Sequence, residues 1–168
     1  MQAFAGLPDT TVEAQETMLC FVQSAATNGT TRRFCEEISL SVNGQAITSK
    51  KIMLDDGANV DLMDNAFRLK HGIRMFNFPT RLSTSVNSGA IVQGITEIVG
   101  IQYGQGPRAI RTARPFLVAY DMDKFYDVLL GNQDTRAYRG TICSATNTYT
   151  LRQTGQQDLI LATVSRPT

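Results

Sequence analysis

The chain has no tryptophan, one histidine and only three cysteines in 168 residues. His71, next to Lys70, has too few possible co-ligands for a His-based metal site, and no Ser-His or Cys-His catalytic pairing stands out. Cys20, Cys35 and Cys143 are far apart and odd in number, so neither a disulfide framework nor a metal-ligand spacing follows. They read as small buried apolar side chains in a reducing compartment. An excess of one charge is also missing: 16 basic and 15 acidic residues leave a net charge of +1. That balance, with no interleaving of basic and aromatic residues, points to neither nucleic acid nor a membrane surface as partner. No uncharged apolar run approaches the roughly 18 residues of a membrane span. The first residues lack the basic start and apolar core of a secretory leader, so the expected location is cytoplasmic. For the same reason the sequon Asn28-Gly29-Thr30 is not expected to be glycosylated.

What is present is an ordinary globular composition, 42% hydrophobic and 18% charged. The length suits one domain with its own core. Residues 1–31, rich in Thr, Ala, Gln and Gly, read as an arm or linker, and residues 32–168 as the domain. From Phe34 the pattern alternates: Ile38, Leu40 and Val42 share its parity, the mark of a half-buried strand. Asn43-Gly44 is a strong hairpin signal, which predicts a partner strand over 46–54. Asp64 reads as the N-cap of a short helix ended by Gly72. Strand-like runs over 79–86 and 90–101 flank the turn Asn87-Ser88-Gly89, and another covers 110–120. The apolar run 128–130, a short helix over 133–138, a hairpin around Thr146-Asn147 and a strand over 158–164 complete the chain. Many short strands, frequent turns and little helix predict an all-β, barrel-like domain.

Two other features read as unremarkable. Gly104-Gln105-Gly106-Pro107-Arg108-Ala109 fits a loose dinucleotide-binding pattern, but Pro107 and the β-rich sequence after it make it a loop. Arg108, Arg111 and Arg114 read as a solvated basic face.

The chemistry concentrates in Ile52-Met53-Leu54-Asp55-Asp56-Gly57-Ala58-Asn59. An apolar strand runs into a carboxylate, which is costly to bury unless it is hydrogen-bonded or used. Gly57 then lets the backbone turn sharply. Further on, Tyr126-Asp127-Val128-Leu129-Leu130-Gly131-Asn132 reads as a second buried strand ending in glycine. In this order the two segments resemble the active-site turn and closing strand of retropepsins, the retroviral and retrotransposon-type aspartic proteases. The resemblance covers roughly residues 34–152.

It implies a closed, barrel-like retropepsin fold with one or two short helices. Asp55 would be the catalytic carboxylate, with Asp56, Gly57 and Ala58 shaping its turn. Asn87, Ser88 and Gly89 would form the flap, and Leu129, Leu130 and Gly131 the floor of the site. No second turn of this kind exists in the chain, so the partner carboxylate would come from a second copy in a C2 homodimer. The substrate would be an extended polypeptide, with no metal or organic cofactor.

One position departs from the family, which has Thr or Ser after the catalytic Asp where this chain has Asp56. An ionised carboxylate accepts hydrogen bonds but cannot donate them. Four carboxylates would crowd the dimer axis. Asp56 is then protonated and donating, turned away, or the mark of an impaired domain that dimerises or holds peptide without cutting it.

Overall fold

The structure, a computed structural model, describes residues 31–77, 84, 85, 91–120, 122 and 125–167. In chain order the strands are β1 (Arg32–Phe34), β2 (Ile38–Val42), β3 (Gln45–Ile47), β4 (Ile52–Asp55) and β5 (Leu62–Asp64). Helix α1 (Asn65–Lys70) comes next, then β6 (Met75–Asn77), β7 (Thr84–Ser85), β8 (Ile91–Thr96) and β9 (Val99–Tyr103). Strands β10 (Ile110–Arg114), β11 (Leu117–Ala119) and β12 (Val128–Leu130) precede helix α2 (Gln133–Ala137). The last strands are β13 (Thr141–Cys143), β14 (Thr148–Leu151) and β15 (Leu159–Ala162). Among the described residues the chain is mostly β with two short helices, as its patterning predicts.

The strands form three sheets. The largest has the order β1-β4-β12-β5-β11-β8-β6, with β7 also paired to β8. A second runs β10-β9-β2-β3 and a third β13-β14-β15. In the first sheet β12 lies between β4, to which it is parallel, and β5, to which it is antiparallel. Strands buried on both faces read as unbroken apolar runs, and β4 and β12 are such strands. Ile52, Leu54, Val128 and Leu130 join the core shared with the second and third sheets. Met53 and Leu129, of opposite parity, join a separate apolar cluster with Leu62, Leu117, Val92 and Ile95.

Several expected strands are divided in two. The run through 34–42 breaks at a turn over Glu36 and Glu37, separating β1 from β2. Residues 46–54 break where the Ser49 hydroxyl accepts the Lys51 N–H (2.9 Å) and donates to the Asp127 carboxylate (2.7 Å). Strand β3 therefore stays with β2 while β4 enters the main sheet. Residues 110–120 break at Pro115, which has no N–H to give to a ladder. The Phe116 N–H donates instead to the Thr96 hydroxyl (2.9 Å), fixing the corner at which the chain changes sheets. The hairpin at Asn43 (φ 53°) and Gly44 (φ 78°) adopts the left-handed conformation that a two-residue turn demands. Asp64 caps α1 by accepting from Ala66 (3.0 Å) and Phe67 (3.3 Å).

The cysteines differ from one another. Cys35 is buried and burial pushes its thiol up to about 12, whereas Cys143 is only partly covered. Hydrogen bonds from the Thr146 side chain and backbone hold the Cys143 thiol below its ordinary value. Cys20 lies outside the described residues. Iodoacetamide at pH 8 should therefore modify Cys143 quickly and Cys35 only on unfolding, as read by peptide mass spectrometry. A Cys35 labelled as fast as Cys143 would contradict this packing.

Candidate active site

Strand β4 ends in Asp55, whose side chain has no exposed surface. The turn beyond it closes when the Ala58 N–H donates to the Asp55 carbonyl (3.2 Å). Gly57 contributes its N–H, which donates to Asp55 Oδ1 at 3.0 Å. The other oxygen, Oδ2, accepts from Arg32 Nε at 3.0 Å. Strand register puts Arg32 opposite Asp55 across the β1–β4 ladder.

The neighbouring Asp56 is tied to its own chain. Its Oδ1 accepts the Thr31 N–H (2.9 Å), and its own N–H donates to the Thr31 carbonyl (3.3 Å). A carboxylate can fill this accepting role without a proton. Within one chain, Asp56 is thus engaged by Thr31, the residue before β1. Tyr126 lies near the Asp55 carboxylate: burial pushes its phenol up, the Arg32 charge opposes that, and the Asp55 charge adds to it.

The floor is built from β12. Leu129 and Leu130 pair in register with Met53 and Leu54, which brings Gly131 under the turn. The backbones approach so closely there that a Cβ on Gly131 would lie 2.5 Å from the Val60 carbonyl oxygen and 2.7 Å from that of Ala58. The Gly131 N–H donates to Asp61 Oδ1 (2.9 Å) and the Asn132 N–H to the Ala58 carbonyl (2.7 Å). The Asn132 amide also donates to the Asp56 carbonyl (3.3 Å) and to Asn59 Oδ1 (3.2 Å). Residues 55–58 and 129–131, far apart in sequence, are thus brought together. The proposed flap, Asn87, Ser88 and Gly89, lies outside the described residues. The strands on either side of it, β7 and β8, pair antiparallel, with Thr84 opposite Val92 and Ser85 opposite Ile91.

Beneath the floor is a buried ionic network with no local signal in the sequence. Arg114, read above as part of a solvated face, has a side chain only 13% exposed. It binds Asp61 through Nε and both oxygens of Asp134 at 2.9 Å. Asp134 also accepts from the Tyr103 hydroxyl. Asp61 and Asp134 lie 53 and 20 residues from Arg114 in the chain, which hides the pairing from any short-range pattern. Arg111 and Arg108 do face outward, on Gln102 and Gln157. The end strand β15 pairs with β14 within the chain, and Val164 bridges to Phe34.

No protein-family model and no curated protein sequence matches the chain. Among solved structures, the chain is similar to the retroviral protease-like domain of Ddi1 from Leishmania major. That likeness has 14% identity and a TM-score of 0.46, over 78% of this chain and 94% of the other.

Two substitutions test this architecture. Gly131→Ala should lower unfolding free energy by about 1–3 kcal/mol, because the backbone carbonyls facing the new methyl must move. Arg114→Met should cost more, about 3–5 kcal/mol, since it leaves Asp61 and Asp134 buried without a cation. Urea denaturation gives both values. A near-neutral Arg114→Met would mean that the two carboxylates are satisfied without it.

Proposed function

We propose that the chain is an aspartic endopeptidase of retropepsin type, acting as a homodimer on extended polypeptide. One observation carries this reading: a buried carboxylate, Asp55, ends an apolar strand and accepts the Gly57 N–H of its own turn, above a floor strand that Gly131 follows. Two such carboxylates brought together across a two-fold axis cannot both ionise cheaply, so they share one proton. The ionised one takes a proton from water as the water oxygen attacks the scissile carbonyl carbon. The protonated one donates to the carbonyl oxygen. Collapse of the tetrahedral intermediate expels the amine, whose nitrogen takes a proton back from the pair. Peptide main chain adding as a strand beside the flap would orient the bond, leaving side-chain pockets to set specificity.

A second reading rests on the intrachain engagement of both acidic residues. With Arg32 on Asp55 and Thr31 on Asp56, the turn could serve a module that dimerises or holds peptide without cutting it.

Cleavage of a mixed peptide library at acidic and neutral pH, run with sedimentation over a dilution series, separates the two. The protease reading expects specific activity to fall as the dimer dissociates. Asp55→Asn should reduce cleavage by at least about 10²-fold while the fold persists, because Asn cannot act as the general base. Because Asp55 is paired with a half-exposed arginine, that replacement should also cost stability, by less than about 1 kcal/mol. Full activity in a strictly monomeric sample, or in Asp55→Asn, would sink the proposal.

A further inference from the structure

The end of β1 lies on the one turn that the proposed chemistry needs free. Both Asp55 oxygens accept intrachain donors, Gly57 on one and Arg32 on the other, and the side chain has no exposed surface. A water or peptide carbonyl cannot meet this carboxylate unless a neighbour moves. The Arg32 side chain, 41% exposed, is the half of the pair in contact with solvent.

The two ends of the strand carrying it are held by different partners. Phe34 exchanges two hydrogen bonds of 2.8 Å with Val164, and the mostly buried Arg33 reaches Thr163 Oγ1 (3.3 Å) and Asn147. At the other end, Thr31 and Arg32 hold the turn by two hydrogen bonds and one ion pair. Among the described strands, β1 is at the edge of its sheet, so lifting this end disturbs its pairing with β4 alone.

We propose that residues 31–32 are an intrachain latch on the active-site turn, and that the turn pairs with that of a second copy only when the latch lifts. Closed, the latch offsets the Asp55 charge, so two opposed turns would have no electrostatic reason to retain the proton that the reaction needs. It also turns Asp56 toward its own chain. Open, it leaves two carboxylates without the Arg32 charge, and these must share a proton on meeting. Among the described residues, Arg32 from β1, Asp56 from the turn and Tyr126 from the segment before β12 are charged or titratable groups around Asp55. Of these, Arg32 is the cation.

The inference rests on the protease reading for its consequence, but its mechanics are measurable without catalysis. Arg32→Gln removes the ion pair, and Thr31→Pro removes the N–H that Asp56 accepts. Sedimentation should show a dimer dissociation constant lower by about tenfold in each variant, a change of about 1.4 kcal/mol. Carboxyl-carbon NMR of Asp55 should show its titration midpoint rising in Arg32→Gln. Library cleavage at a fixed protein concentration should rise with the dimer fraction. If no form cuts the library but the dimer tightens and the midpoint rises, the latch stands and the protease reading falls. A dimer unchanged or weakened in both variants overturns the latch, as does cleavage lost in Arg32→Gln with dimerisation unaltered. Amide exchange on the unmodified protein is an independent check that does not depend on either variant folding. The Asp56 N–H, bonded to Thr31, should exchange through a local opening well before the Phe34 N–H, bonded to Val164. Equal protection at the two sites would mean that β1 does not lift from one end, and the latch would be wrong.

Discussion

The guanidinium of Arg114, set between Asp61 and Asp134, is the contact on which the rest of the site depends. Burying two carboxylates and a cation is tolerable only when every charge is paired and the remaining lone pairs are used. Here they are: Asp61 also takes the Gly131 N–H and Asp134 the Tyr103 hydroxyl. Burial works against the Arg114 charge, but its hydrogen bonds with Asp61 and Asp134 outweigh it and raise the guanidinium above even its usual high value. One cation thereby joins the end of β10, the loop before β5 and the start of α2. Those are the three places from which the floor of the turn is hung. Gly131 can come within reach of the Ala58 and Val60 carbonyls because Asp61 holds its N–H from the other side.

The sequence patterns that survive in the structure are those set by period. Ile52, Met53 and Leu54 read as a strand buried on both faces, and their alternation into two separate apolar clusters is what such a run encodes. Asp64 as an N-cap and Asn43-Gly44 as a turn were equally plain, because each relies on donors and dihedrals within a few residues. The corners where a strand leaves one sheet for another were not. At Ser49 and at Pro115 the corner is fixed by hydrogen bonds to Asp127 and Thr96 from distant parts of the chain, which no local pattern shows.

The turn itself was half legible. Asp55, Gly57 and Gly131 announced themselves through strand, glycine and order. Thr31 and Arg32 did not, lying where an uninformative arm meets the first strand. Arg114 was hidden for a different reason, since an arginine at the end of a half-exposed strand looks like any solvent-facing residue. Only the carboxylates it meets reveal its burial, and they come from other segments. Asp56 is the reverse case. Its departure from the hydroxyl found in retropepsins was obvious, yet what it means depends on an N–H 25 residues earlier.

The bridge between Phe34 and Val164 has a bearing on how the molecule comes into being. Strand β1 has β4 on one side, available as soon as residues 52–55 have been made, but its second support is contributed by a segment 130 positions later. Contacts of such span are the slowest to form, because the loop they close must first lose its freedom. On a ribosome, synthesis proceeds from the N-terminus at roughly 5–20 residues per second, so β1 waits several seconds for this partner. Throughout that interval the strand beside Asp55 is held from one side only. The nascent chain therefore passes through a stage in which its acidic turn is built but its neighbour is not yet anchored, and other nascent copies on the same message are close by.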